Sequence, residues 1–141
     1  MLKKRLAQFF IGTHVFLYRR TGGKIGADMR GMTVILLTTT GRKSGKERTA
    51  PLMYIEDGNN YVVAASNGGS DKHPGWYWNL QSNSQVQIQV RDKVMQATAK
   101  QANPEERSRH WKQFAAKTDI FDKYQQNTTR EIPLFILQPA E

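Results

Sequence analysis

Apolar and polar positions follow two different periods along this chain of 141 residues. Up to residue 20 the apolar side chains recur at helical spacing and are flanked by cations, which predicts a basic amphipathic helix over residues 2–20. Its predicted apolar stripe consists of Leu2, Leu6, Phe9, Phe10, Phe16 and Leu17. Four glycines follow within ten residues and predict a flexible connection, namely Gly22, Gly23, Gly26 and Gly31.

From Val34 onward the apolar runs become short and rich in β-branched residues, which predicts strands. Turn sequences separate several of these runs. Residues 57–60 (DGNN) and 91–93 (RDK) each predict a hairpin. The predicted strands are 34–37, 49–55, 61–65, 86–90, 94–99 and 132–137.

Helix signals lie between and after these strands. Pro74 predicts the start of a short helix over 74–82. Asn103 and Pro104, followed by two glutamates, predict the capped start of a helix that ends near Lys117, and a shorter helix is expected over 121–126. The pattern predicts an α+β fold in which a largely antiparallel sheet of six to seven strands curls into a barrel with flanking helices. Residues 1–31 are expected to form the helix and its connection, and residues 32–141 the barrel domain.

The charge is concentrated at one end of the chain. Residues 1–48 contain eleven Lys and Arg against two acids, whereas residues 49–141 contain ten of each, so the net charge of +9 comes from the first third. This asymmetry favours an anionic partner, and nucleic acid, an anionic membrane surface and a phosphorylated cofactor all fit. The chain has no cysteine, which excludes disulfides and thiolate chemistry and suits a cytoplasmic protein.

Four cations lie within seven positions of the turn after the first predicted strand. They are Arg42, Lys43, Lys46 and Arg48, set among glycines and hydroxyl residues. Such a turn can bind an anion through guanidinium, ammonium and hydroxyl groups, or it can be an ordinary solvated hairpin. The spacing excludes a P-loop, because only three residues separate Gly41 from Gly45 and Glu47 follows Lys46.

Other catalytic motifs are absent from the sequence. Neither Ser44 nor Ser66 has the glycine spacing of a nucleophile elbow. His14, His73 and His110 are dispersed without carboxylates at ligand spacing, so no metal site is predicted.

A second small-residue loop at 66–70 (SNGGS) and the aromatic run Trp76, Tyr77 and Trp78 complete the candidate chemistry. Together with the cationic turn they suit a flat, anionic, aromatic ligand, since loop amides can bond ring carbonyls while aromatic side chains exclude water. The helical spacing predicts that no more than one of Trp76 and Trp78 reaches such a ligand.

Three linked segments resemble the deazaflavin (F420)-dependent nitroreductase family of split β-barrel oxidoreductases. They are LLTTTGRKSGKERTAPLMY, YVVAASNGGSDKHPGWYWNL and YQQNTTREIPLFIL, in that order over about residues 32–138. The resemblance implies a split β-barrel of the FMN-binding type and coenzyme F420 as the cofactor.

The resemblance also implies the site residues. Arg42, Lys43, Ser44 and Arg48 correspond to residues that bind the coenzyme's phosphate and acidic tail. Ala64, Ala65, Ser66 and Asn67 correspond to the loop along the deazaflavin ring, and Trp76 and Tyr77 to the motif beside the pocket. Tyr124 matches one tyrosine of the cluster on the substrate side. The chain departs from the family at Asn67, where relatives commonly carry Lys, and at Met53, Thr118 and Phe121, where nitroreductase members carry Tyr.

The resulting hypothesis is an F420-dependent reductase that transfers a hydride to a quinone-like, nitroaromatic or other electron-poor acceptor. Ser66 would polarise the ring or the acceptor, and Tyr124 would donate a proton. Two alternatives remain open: a split-barrel protein that binds FMN or haem, and a basic nucleic-acid-binding module, for which no specific reader motif is present. The expected location is the cytoplasm, with peripheral binding to the inner face of the membrane through residues 2–20 as a further expectation. The oligomeric state is left open.

Overall fold

A computed structural model describes residues 2–29 and 31–140, with residues 2–9 described by their backbone alone. The helices are α1 (Leu2–Thr21), α2 (Gly75–Ser82), α3 (Pro104–Lys117) and α4 (Ile120–Gln126). The strands are β1 (Asp28–Met29), β2 (Met32–Thr40), β3 (Glu47–Asp57), β4 (Asn60–Ala64), β5 (Gln85–Val90), β6 (Lys93–Gln101) and β7 (Leu134–Pro139).

Six antiparallel strands close into a barrel. Their order is β2-β3-β4-β7-β6-β5, and β2 closes the ring because it pairs with β3 along one edge and with β5 along the other. Leu37 shows this closure, since it lies opposite Ala50 of β3 and Ile88 of β5. The predicted α+β split-barrel class is confirmed. The short strand β1, which pairs with the start of β2, was not predicted because two residues show no periodicity.

The β2–β3 hairpin is longer than the apolar pattern predicts. Thr38, Thr39 and Thr40 continue β2 and pair with Thr49, Arg48 and Glu47 of β3. Threonine favours strands through its β-branched side chain although it breaks an apolar run. The extension reduces the cationic segment to a tight turn at the end of the barrel.

Two apolar clusters organise the interior. One fills the barrel and includes Ile35, Leu37, Val63, Ile88 and Leu137, all of which are fully buried. The other lies between the barrel wall and the helices α3 and α4, where Phe114 and Phe121 pack with ring centroids 4.7 Å apart. Asn103 caps α3 by accepting from the N–H of Glu106 at 2.8 Å, as the sequence predicts. These clusters hold the ends of α2 and α4 against the barrel, where the candidate site forms.

Helix α1 docks on the barrel mainly with residues outside the predicted stripe, although Leu17 of the stripe is half-buried. Val15 and Tyr18 are buried against β2, and the Tyr18 hydroxyl donates to the Val34 carbonyl at 3.0 Å and accepts from the Arg91 N–H at 2.6 Å. By contrast, Phe10 is 66% exposed and Phe16 is 62% exposed. A buried tyrosine with both hydrogen-bonding functions satisfied determines the docking face, and apolar spacing alone did not reveal it. The other stripe residues Leu2, Leu6 and Phe9 lie outside the described side chains.

None of the helices in the described ranges combines the length and the apolar character needed to cross a bilayer.

Candidate functional site

The turn between β2 and β3 is built by glycines. The Gly41 N–H donates to the Lys46 carbonyl and the Gly45 N–H to the Gly41 carbonyl, both at 2.8 Å. A Cβ on Gly41 would lie 2.7 Å from Ser44 Oγ, and Gly45 has a φ of 70° that L side chains rarely adopt. The turn therefore presents its cations from a compact, hydrogen-bonded backbone.

Asn79 of α2 anchors this turn to the barrel. Its side-chain oxygen accepts from the Arg42 N–H at 3.0 Å, and its amide group donates to Thr39 Oγ1 at 3.0 Å. Asn79 is buried, so both of these bonds replace water contacts. Sequence reasoning missed this residue, although an Asn inside the apolar helix sequence WYWNL is a signal for a buried polar contact.

A cavity of about 480 Å³, termed here the cationic cavity, opens beside the turn. The residues that the resemblance assigns to the coenzyme's tail, Arg42, Lys43, Ser44 and Arg48, all line it, whereas Lys46 of the same turn does not. Within residues 2–29 and 31–140, no carboxylate lies within 4.0 Å of any of the turn's four cations. The positive charge at this cavity is therefore left for an anionic ligand.

Both Trp76 and Trp78 line the cationic cavity, although helical spacing predicts that no more than one of them reaches a ligand. Trp76 is 8% exposed and forms part of the inner wall, while Trp78 is 44% exposed at the rim. The Arg42 guanidinium lies 5.7 Å from the centroid of the Trp78 ring. The cavity therefore extends from the buried to the exposed side of α2, and the expectation that one of the two indoles contacts a ligand stays a prediction.

A second cavity of about 450 Å³, termed here the apolar cavity, adjoins the first. Ala50 and Trp76 line both cavities, so the two share a wall. From the predicted site, Ala64, Ser66, Asn67 and Tyr124 line the apolar cavity. Met53 and Phe121, where nitroreductase relatives carry Tyr, line it as well, and Thr118 does not.

Helix α1 supplies an unpredicted side of the apolar cavity through Phe10, Ile11 and His14. His14 is held by the Gly-rich connection, because its Nε2 donates to the Gly26 carbonyl at 2.7 Å. The sequence could not assign this contribution, since it depends on the face by which α1 docks.

Two predicted site residues line neither cavity. Ala65 is fully buried, with its N–H bonded to the Pro133 carbonyl at 2.8 Å. Tyr77 stacks on His73, with ring centroids 3.8 Å apart and planes inclined by 11°. Sequence reasoning missed Arg130, whose guanidinium hydrogen-bonds both His73 and the Ala65 carbonyl of the loop at 65–70.

Over the described ranges, no group of three or more His, Asp or Glu side chains is placed to hold a metal ion.

The loop after β4 fits closely against the helix α4. Gly69 has a φ of 84°, and a Cβ there would lie 3.0 Å from both Cα and the carbonyl oxygen of Tyr124. Asn67 has a φ of 46°, a conformation that Asn adopts more readily than most residues. The loop therefore packs closely on α4, and Ser66 of the loop and Tyr124 of α4 both line the apolar cavity.

The close approach of Gly69 to Tyr124 leads to a stability prediction with a matched control. We expect Gly68→Ala to lower the free energy of unfolding by about 1 kcal/mol, because Gly68 has a φ of 64° but open space around it. Gly69→Ala should cost about 1–3 kcal/mol more, since its methyl group meets backbone atoms. Urea denaturation of both variants measures the difference. If Gly68→Ala and Gly69→Ala lowered the free energy of unfolding equally, the loop would not fit tightly against α4.

Comparison with known proteins connects this geometry to a family. A family model described as F420H2-dependent quinone reductase matches residues 11–139. An F420H2-dependent quinone reductase of Mycobacterium tuberculosis is 36% identical, with 96% of this chain and 94% of the relative covered.

Two solved structures share both the fold and the sequence. An F420H2-dependent reductase is 43% identical with a TM-score of 0.69, covering 77% of this chain and 95% of its own. A domain-swapped dimer is 36% identical with a TM-score of 0.72, covering 98% of this chain and all of its own. The cationic turn and all residues lining the apolar cavity except Phe10 lie within residues 11–139, which the family model matches. The chain therefore belongs to the F420H2-dependent quinone reductase family, whose enzyme class and coenzyme F420 are those that the sequence predicted.

Proposed function

We propose that this chain reduces a quinone with F420H2 in its two adjoining cavities. The observation that carries the proposal is that the cationic and apolar cavities share the wall formed by Ala50 and Trp76. A ligand with an anionic tail and a flat ring matches this pair of environments. The donor set of the first cavity and the apolar lining of the second therefore fit coenzyme F420.

The tail would be held by the turn between β2 and β3. Arg42 and Arg48 can each offer a guanidinium fork to a phosphate or carboxylate group, and Lys43 adds a mobile ammonium. The Ser44 hydroxyl accepts from the Lys46 N–H at 3.1 Å and keeps its own proton to donate to an anion. The hydrogen bonds to Asn79 hold this donor set in place before any ligand arrives.

The ring would lie in the apolar cavity, where the bound coenzyme supplies a hydride. Ala64, Ser66 and Asn67 would line one side of it, while Ala65 and Tyr77 support the loop from behind. Met53 and Phe121 exclude water from the same space, which strengthens polar interactions formed there. The lack of tyrosines at these two positions favours an apolar acceptor such as a quinone.

A quinone becomes a quinol when it accepts a hydride and a proton, so the site needs a proton source near the acceptor oxygen. Tyr124 Oη and Ser66 Oγ are hydroxyl groups at the apolar cavity that can donate one. Tyr124 is anchored for this role by the contact between its backbone and Gly69 and by its edge-on contact with Phe121 at 6.0 Å.

Tyr124→Phe tests this role. We expect kcat for quinone reduction to fall on the order of 10²-fold, because general acid catalysis is lost, while the affinity for the coenzyme is retained. Tyr61→Phe, on β4 and outside both cavities, serves as the control. Steady-state rates across pH provide the measurement, and an unchanged kcat would remove Tyr124 as the proton donor.

The reaction itself is tested by anaerobic mixing of the protein with F420H2 and a short-chain naphthoquinone. The proposal predicts that the oxidised coenzyme appears, by absorbance, only when the protein and the quinone are both present. A nitroaromatic compound in place of the quinone compares the two acceptor classes. If the protein binds the coenzyme but does not accelerate its oxidation by quinones, the proposed function is wrong.

We further propose that α1 binds an anionic membrane surface with its outward side. Phe16 is largely exposed there, and Arg20 is an exposed cation on the same helix. Such a helix can bury apolar side chains at the lipid interface while its cations meet lipid headgroups.

Sedimentation with phosphatidylglycerol vesicles tests the membrane proposal. Phe16→Ser should weaken vesicle binding by about 1.5–3 kcal/mol, since a buried Phe would be lost. Neutral phosphatidylcholine vesicles are the control. Absence of binding to anionic vesicles at low salt would contradict the proposal.

A further inference from the structure

Arg130 lies between α4 and β7 and reaches the loop that follows β4. Its guanidinium donates to the carbonyl oxygens of Ala65 at 3.2 Å, Ser66 at 2.9 Å and Ser70 at 2.9 Å. One side chain thus holds both ends of the segment that contains Asn67 and Gly68. Arg130 is half-buried, and this burial is the main cause that lowers the pKa of its guanidinium.

We propose that Arg130 is a positioning residue that gives the loop at 65–70 the shape required to receive the coenzyme ring. The inference rests on the proposed function and adds a role that no cavity-lining residue performs. Arg130 lines neither cavity, so it can act on the coenzyme only through the residues that it binds. Ser66, Asn67 and Gly68 lie within the segment that Arg130 holds, and all three line the apolar cavity.

His73 fixes the guanidinium from the other side. Since arginine has no acceptor, Arg130 Nη1 donates to His73 Nδ1 at 3.2 Å, and the neutral imidazole then carries its proton on Nε2. Burial, and secondly the charge of Arg130, lowers the pKa of His73, which favours this neutral form. The imidazole is in turn stacked on Tyr77, which belongs to α2. Arg130 therefore joins the ring loop to the helix that also carries Trp76.

Geometry, and not only charge, makes arginine suited to this position. A planar guanidinium carries five N–H donors in a fixed fork and can serve three carbonyls and an imidazole together. A lysine ammonium has three N–H donors on one nitrogen, so it cannot replace the five bonds that the guanidinium makes from three nitrogens. Arg130→Lys should therefore behave like Arg130→Ala and unlike the native protein.

Amide hydrogen exchange on the protein without coenzyme measures the loop directly. We expect Arg130→Ala and Arg130→Lys to speed exchange at residues 65–70 by about tenfold or more, with exchange in the barrel strands unchanged. Arg109→Ala removes an exposed cation of α3 and is the charge-matched control, for which no change in the loop is expected. If Arg130→Ala does not fold, Arg130→Lys carries the test.

Titration with oxidised coenzyme F420 provides the second readout. Both Arg130 variants should bind about tenfold more weakly and show an altered absorption spectrum of the bound ring, since the loop is no longer ordered beforehand. Native exchange rates in the loop of Arg130→Lys, or the same losses in Arg109→Ala, would overturn the inference. Failure of the native protein to bind the coenzyme would refute the proposed function. The exchange data would still decide whether Arg130 holds the loop.

Discussion

Replacing Arg42 and Arg48 together by alanine is expected to weaken binding of oxidised coenzyme F420 by about 10²–10⁴-fold. Each guanidinium that bonds an anionic group contributes about 1.5–3 kcal/mol, and about 1.4 kcal/mol corresponds to a factor of ten. Both side chains line the cationic cavity, and no described carboxylate within 4.0 Å neutralises them. The turn itself should survive, because its backbone is held by Gly41, Gly45 and Asn79.

Lys46→Ala is the control for the loss of one positive charge from this turn. Lys46 belongs to the same exposed turn and carries the same charge, but it does not line the cavity. We expect its removal to change the affinity much less than the double variant does. Fluorescence titrations at two salt concentrations measure all three proteins. If Lys46→Ala lowered the affinity as much as the double variant does, only long-range charge would attract the coenzyme. If the double variant kept the native affinity, the turn would not be part of the binding site.

Trp76→Ala is expected to lower the free energy of unfolding by about 3–5 kcal/mol. The indole is 8% exposed, belongs to the interior cluster of the barrel, and meets Phe135 edge-on with ring centroids 5.6 Å apart. Its removal would leave a cavity and would also join the two ligand cavities, because Trp76 lines both of them. Coenzyme affinity should therefore fall together with stability.

Trp78→Ala separates these two effects. Trp78 is 44% exposed at the rim, so its loss should change stability by no more than about 1 kcal/mol. Its ring lies 5.7 Å from the Arg42 guanidinium, and a weaker hold on the coenzyme tail is expected without unfolding. Denaturant titrations of both variants test the assignment. If Trp76→Ala lowered the free energy of unfolding only slightly, this would contradict the place of Trp76 in the core.

Much of the barrel could be predicted from local sequence signals. The six long strands follow runs of apolar and β-branched residues, and α3 begins where Asn103 and Pro104 predict its cap. The turn at 41–46 was recognisable because its glycines and cations are adjacent in sequence. Caps, turns and strand periodicity depend on residues that are close in sequence, so they can be predicted without the tertiary structure.

The remaining features depend on contacts between distant residues. Arg130 reaches carbonyls more than sixty positions away, and Asn79 joins a helix to a turn that is 37 positions distant. The docking face of α1 depends on Tyr18, whose hydroxyl meets the backbone of Arg91. No periodicity or motif encodes such pairs. The sequence therefore predicted the residues that line the two cavities better than those that hold them in position.

The most direct test of the central claim is an equilibrium titration that compares oxidised coenzyme F420 with FMN. The account predicts saturable binding of coenzyme F420 that weakens as salt is added, because Arg42, Lys43 and Arg48 meet its anionic tail. FMN, which lacks the acidic tail, should bind much more weakly. Absence of saturable binding of coenzyme F420 at low salt, or tighter binding of FMN, would contradict the account.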